Sequence, residues 1–153
     1  MKKLLVVCLG VLVLSSAVLA YAGPSEPFTL ADRVGEPGER SFFLFTTSAG
    51  NYIVRQDGMG EFSSPKGMRR VFTLRVGGRS RIEQIYFLEH EGDVFIFYEV
   101  NNAACLVRME QTKRKVRWSA SVAKTGAPVI DGESVIVDST EIRKADGRII
   151  RED

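Results

Sequence analysis

Hydrophobic residues in this chain come in short bursts, rich in aromatic and β-branched side chains, and each burst is fenced by Gly, Asn, Asp or Ser. Phe42-Phe43-Leu44-Phe45, Tyr52-Ile53-Val54, Val94-Phe95-Ile96-Phe97-Tyr98, Cys105-Leu106-Val107 and Val135-Ile136-Val137 are the clearest. Runs this short, and this poor in Ala and Glu, predict strands and not helices. The fences between them predict tight turns at Ser48-Ala49-Gly50-Asn51, Asn101-Asn102 and Asp138-Ser139-Thr140.

Laid over one another, the bursts form three copies of one pattern. Gly38-Glu39, Gly92-Asp93 and Gly132-Glu133 each open a hairpin, and an apolar pair or triplet with Arg55, Arg108 or Arg143 at its end closes it. Each copy runs on into a further turn and strand. Asp57-Gly58 precedes Phe62, Thr112-Lys113-Arg114 precedes Val116-Arg117-Trp118, and Asp146-Gly147 precedes Ile149-Ile150. Asp-Gly supplies the positive φ angles that a two-residue hairpin needs. Upstream strands at residues 28–30, 82–88 and 127–130 complete about three four-stranded antiparallel meanders. Their openings are spaced 54 residues (Gly38 to Gly92) and 40 residues (Gly92 to Gly132) apart.

A period near 40 with four strands per unit is that of propeller blades. The stretch 92–151 resembles the quinoprotein-like β-propeller repeat: a Gly-Asp opening, an apolar strand, Met109-Glu110 on the next strand and Trp118 at the matching distance. Gly126-Ala127-Pro128-Val129-Ile130-Asp131-Gly132 then resembles the start of a following blade. Where that repeat carries Thr-Gly this chain has Lys113-Arg114, and Arg151 stands near the place of the third unit's tryptophan. The resemblance implies an all-β fold of blade-like meanders. Three blades are too few to close a propeller, so three forms stay open: chains sharing a propeller, an open row of sheets, or a sandwich or barrel built from the same hairpins.

The first residues follow another pattern. Lys2-Lys3, an apolar run from Leu4 to Leu14 and small residues ending in Ala20-Tyr21-Ala22 are the order of a bacterial-type secretory signal. Residues 1–22 are expected to form a signal helix that is cleaved, leaving a single all-β domain over 23–153 in the periplasm or outside the cell. Membrane contact is then confined to an uncleaved signal. The chain has 21 Lys and Arg against 19 Asp and Glu, and losing Lys2 and Lys3 leaves 19 against 19. That balance removes the basic excess a nucleic-acid binder would use. Cys105 alone survives processing, so no internal disulfide forms, and a buried inert thiol is expected. About 131 remaining residues bury roughly two thirds of the unfolded chain's surface, enough for one core without staples.

Candidate chemistry is thin. His90 is the lone histidine, between Glu89 and Glu91, where an extended backbone sends the acids to one side and the imidazole to the other; a solvated hairpin tip is expected rather than a metal site. A Cys105–His90 nucleophilic pair would lack an orienting group. No serine lies in a Gly-x-Ser-x-Gly elbow. Asp93, Glu99, Asp131, Glu133 and Asp138 recur at equivalent hairpins and are expected to solvate turns. No catalytic, cofactor or metal residue is assigned, and no cofactor is expected.

Charge patterning offers surfaces instead. Lys66, Arg69, Arg70, Arg75, Arg79 and Arg81 fall in a stretch without acids, whereas residues 83–99 carry five acids and no Lys or Arg. Strands at 71–76 and 82–88 joined through Gly77-Gly78 would set these charges against each other, the other reading being an anion-binding face. Lys113, Arg114, Lys115 and Arg117 fall at a second turn and, with Arg69 and Arg70, make up the candidate interaction surface. The aromatic bursts predict strands covered on both faces, with Trp118 in the core and Tyr52 the more exposed ring. Two functional classes follow: an exported non-catalytic binding or scaffold module holding another protein or a second copy, or an exported enzyme or quinoprotein-related remnant holding a small cofactor.

Overall fold

The computed structural model describes residues 23–36, 40–113, 115–123 and 125–153. The signal expected over 1–22 and the Gly38-Glu39 opening lie outside the described residues. The described residues form fifteen strands and no helix. Three very short strands come first: β1 (Glu26–Pro27), β2 (Thr29–Leu30) and β3 (Asp32–Val34). Three four-stranded meanders follow. The first is β4 (Phe42–Thr47), β5 (Gly50–Arg55), β6 (Met59–Ser63) and β7 (Arg69–Thr73). The middle one is β8 (Gln84–His90), β9 (Asp93–Val100), β10 (Ala103–Glu110) and β11 (Lys115–Val122). The last is β12 (Val129–Asp131), β13 (Ser134–Val137), β14 (Thr140–Arg143) and β15 (Ile149–Arg151).

The turns act as their sequences require. Asn101 and Asn102 both adopt positive φ, 51° and 61°, which closes the two-residue β9–β10 hairpin with the twist its strands need. Asn tolerates that conformation because its short polar side chain bonds locally.

Each meander gains a fifth strand from the opening segment, and all pairings are antiparallel. The sheet orders are β1-β12-β13-β14-β15, β11-β10-β9-β8-β2 and β3-β4-β5-β6-β7, and none of the three closes into a barrel. The segment 26–34 is therefore a strap that crosses all three sheets in the reverse of their chain order. Its burial repeats every three residues: Phe28 and Ala31, each 6% exposed, are the buried positions between exposed pairs. Three extended residues span about 10 Å, the distance between stacked sheets. Phe28 thus drops into the core between the last and middle sheets, and Ala31 into the core between the middle and first. Their backbone N–H groups donate to Pro128 O at 3.0 Å and Ile85 O at 2.8 Å.

Those two cores make the molecule a three-layer stack with the middle sheet inside. Val94, Ile96 and Tyr98 of β9 face the first sheet; Phe95 and Phe97 face the last. Alternate side chains of one strand point to opposite faces, so only a strand covered on both sides can be buried throughout. Burying each such ring contributes about 1.5–3 kcal/mol.

Four expectations are corrected here. Residues 71–76 and 82–88 do not pair: β7 closes the first sheet, β8 opens the middle one, and 74–83 crosses between them. Leu74 and Ile82 anchor both ends of that crossing in the core, where burial outweighs the hairpin signal of Gly77-Gly78. Gly58 admits the crossing, since at φ +92° a Cβ there would lie 2.1 Å from Leu74 O. Second, residues 28–30 belong to the strap, so the first meander starts at β4 and its register against the others is displaced by one strand. Third, Tyr52 is 1% exposed, stacked on Phe45 with ring centroids 4.6 Å apart. Fourth, β4 is covered on one face only, leaving Phe42 37% exposed.

Candidate interaction surfaces

Polar side chains close the two seams between sheets. At the seam of the middle and last sheets, His90 is held and not solvated, its side chain only 14% exposed. Its Nδ1 donates to Glu26 Oε2 at 3.0 Å, and Lys144 Nζ donates to its Nε2 at 3.1 Å. Lys144 is 5% exposed and also donates to Gly132 O at 3.2 Å, while its own carbonyl accepts from Arg108 Nη1 and Trp118 Nε1. The missed signal was the strap, which brings Glu26 to the β8–β9 turn. The buried Asp93 takes Arg108 Nε at 2.5 Å and Arg117 Nε at 2.8 Å. Two guanidinium partners offset the cost of taking that carboxylate out of water.

At the other seam, Gln111, 3% exposed, accepts from Thr47 Oγ1 at 2.7 Å and from the Tyr52 hydroxyl at 3.2 Å. Its amide donates to Glu89 Oε1 at 2.8 Å, and Ser48 donates to the same carboxylate through both N–H and hydroxyl. Burial pushes the Glu89 carboxyl up, but the Ser48 and Gln111 hydrogen bonds outweigh it and leave the group below its ordinary value. Both networks fix how the sheets meet, while the buried Thr140 hydroxyl of β14 lacks a hydrogen-bond partner among the described residues.

No nucleophilic pair forms from Cys105 and His90. Cys105 packs into the core facing the first sheet, whereas His90 meets Phe95 on the opposite face of the middle sheet. Burial raises the thiol pKa, against smaller lowering contributions from Tyr98 and Arg75, and a protonated thiol is a poor nucleophile. Among the candidate carboxylates, Asp93 is neutralised as described and Glu99 accepts the Gly126 N–H at 2.8 Å.

Of the six basic residues picked from sequence, the five described ones do not converge. Lys113, Lys115 and Arg117 stand at the β10–β11 end of the middle sheet, where Lys113 lies 3.6 Å from Glu110. Arg117 spans Asp93 and Glu110, so it belongs to the seam and is not a solvated tip. Arg114 lies outside the described residues. Arg69 and Arg70 sit on β7, on opposite faces of the first sheet, with Arg69 3.3 Å from Glu61.

Two other surfaces are better built: the first was not singled out in the sequence, whereas the second takes Arg79 and Arg81 from the basic stretch whose alternative reading was an anion-binding face. The first is the outer face of the first sheet. Val34, Phe42, Leu44, Ile53, Met59 and Val71 point outward there by strand alternation, and all but the half-buried Leu44 are exposed. Cross-strand register sets Val34 against Phe42 and Leu44 against Ile53. Asp32, Arg55, Glu61 and Arg69 share the face, two acids with two bases. Where the strap leaves the middle sheet, Leu30, Leu44, Ile53 and Phe87 line a groove of about 560 Å³ continuous with it. The second is a cleft lined by Arg33, Arg40, Arg55, Arg79 and Arg81, where the loop after β7 returns toward the middle sheet.

This chain matches no protein-family model, no curated protein and no solved structure.

Proposed function

We propose that this chain is an exported, non-catalytic binding module that works by sheet-against-sheet docking, with a second copy of itself as the partner. Export is supported by Lys2-Lys3, the apolar run to Leu14 and Ala20-Tyr21-Ala22. The observation that carries the docking reading is the uncovered outer face of the first sheet. It has the alternation by which the molecule's own sheets adhere, yet nothing in the chain's described residues covers it. Contiguous exposed apolar surface rimmed by polar groups marks interaction sites. Arg69 is paired with Glu61 at 3.3 Å and Arg55 with Asp57 at 2.5 Å, so the face carries little unpaired charge and calls for no partner of opposite charge, as docking of a second copy requires.

Light scattering of the processed chain tests this. The expected result is a dimer that Ile53→Lys converts to monomer with the circular dichroism spectrum unchanged. A parent chain that stays monomeric at every concentration, or an Ile53→Lys variant that stays dimeric, overturns it.

A further inference from the structure

The arginine cleft, which borders the docking face at Phe42 and Arg55, supports a second inference carried by residues off that face. We propose that it binds phosphoryl groups, through Arg79 and Arg81 on the loop between β7 and β8, with Arg33, Arg40 and Arg55 converging from the first sheet.

The cleft has two lobes of about 470 and 550 Å³ that share Gln56, Arg79, Ser80 and Arg81. Among the described residues, five guanidinium groups line it against two carboxylates, Asp57 and Glu83, which leaves three positive charges unbalanced, and Asp57 is already engaged by Arg55 at 2.5 Å. Among the described residues Arg40, Arg79 and Arg81 make no ion pair. Without its signal the chain has equal numbers of acids and bases, so such a gathering is not an overflow of a basic protein. The crossing over 74–83 explains it: by failing to pair as a hairpin, this stretch keeps Arg79 and Arg81 away from the acids of β8 and β9.

The loop is fixed rather than merely tethered. Leu74 N donates to Gly58 O and Ile82 N to Gln56 O, both at 2.8 Å, which ties its two ends to the β5–β6 turn. Between them the buried Tyr98 hydroxyl donates to Arg75 O at 2.8 Å, Ser80 N to Gly77 O at 3.0 Å and Asn101 Nδ2 to Ser80 Oγ at 2.8 Å. Across the cleft, Arg33 is set over the Phe43 ring, 6.0 Å from its centroid, and its Nη2 donates to the buried Ser41 hydroxyl. A loop already held in place loses little backbone freedom on binding, and guanidinium forks match the oxygens of a phosphoryl group in pairs. An excess of three charges suits a group carrying two or three negative charges better than a lone carboxylate. Phosphoryl groups of that kind occur on small molecules and on lipid headgroups.

Calorimetric titration with pyrophosphate, against chloride at matched ionic strength, tests the cleft, with Arg79→Gln/Arg81→Gln as the variant and Arg69→Gln as a control on the docking face. Pyrophosphate should bind the parent and the control alike and the double variant about a hundredfold or more weakly, the loss expected for two charged hydrogen bonds. Co-sedimentation with vesicles containing phosphatidic acid, whose phosphomonoester headgroup can carry two charges, against phosphatidylcholine alone, separates the sources. Vesicle binding lost in the double variant assigns the cleft to lipid headgroups, and pyrophosphate binding without vesicle binding assigns it to soluble phosphates. Absence of both, or equal weakening by Arg69→Gln, overturns the proposal. The melting temperature of each variant shows whether it is folded. None of these outcomes depends on whether the chain dimerises.

Discussion

β4 and β9 carry the same kind of aromatic burst and meet opposite fates. Every residue of β9 from Asp93 to Tyr98 is buried, whereas β4 alternates, with Phe43 and Phe45 inside and Phe42 and Thr46 outside. Nothing in Phe42-Phe43-Leu44-Phe45 is less apolar than Val94-Phe95-Ile96-Phe97. What differs is place in the stack: the middle sheet has a neighbour on each face, and the first sheet has one. Burial here belongs to the layer and not to the strand. A run that is apolar on both sides but covered on one leaves surface to be used.

The sharpest way to break this comparison is to truncate equivalent rings. Phe97→Ala, in the layer covered on both faces, should cost about 3–5 kcal/mol in urea unfolding, while Phe42→Ala should cost under about 1 kcal/mol. Equal losses would mean that the two rings are equally covered and that burial does not follow the layer. The strap gives a second contrast within three residues. Phe28→Ala should cost about 3 kcal/mol, because its ring, 6.3 Å from Phe95, fills the seam of the last and middle sheets. Leu30, 51% exposed, should tolerate alanine within about 0.5 kcal/mol. A strap that merely lies on the surface would show no difference between them.

The smallest effect concerns pH. Glu89 titrates below its ordinary value in the folded chain, so its ionised form adds stability that is complete above the unfolded pKa and is lost as pH falls through the folded one. Glu89→Gln should flatten the acid limb of a melting-temperature profile below about pH 4.5 and leave its shape near neutrality unchanged. An unchanged acid limb would remove Glu89 from the seam's energetics.

Much of the middle and last sheets was legible in the chain itself. β9, β10 and β13 are bursts with fences on both sides, and Asn101-Asn102 allows little but a tight turn. The strap was not legible, because strands of two or three residues have no periodicity to read; their only mark is the three-residue spacing of Phe28 and Ala31, which means something only once the sheet spacing is known. The cleft was half legible. The basic run through Arg79 and Arg81 stood out, but Gly77-Gly78 reads as a hairpin, and local turn chemistry carries no information about Leu74 and Ile82 being drawn into a core on either side. His90 and Tyr52 were misplaced for the same reason: each sits beside a turn, and each is covered by a segment distant in the chain, Glu26 with Lys144 for one, Gln111 for the other.

The strap also dictates an order of assembly. Glu26 pairs with Ile130, 104 positions downstream, so the earliest residues of the described fold complete the sheet that is synthesised last. A chain emerging N-terminus first can pair β3 with the nearby β4 at once, but β2 must wait for β8 and β1 for β12, and closing contacts so distant is slow. Until then the edges of β8 and β12 stand open, and other chains arriving in that interval meet strands that the finished protein no longer offers.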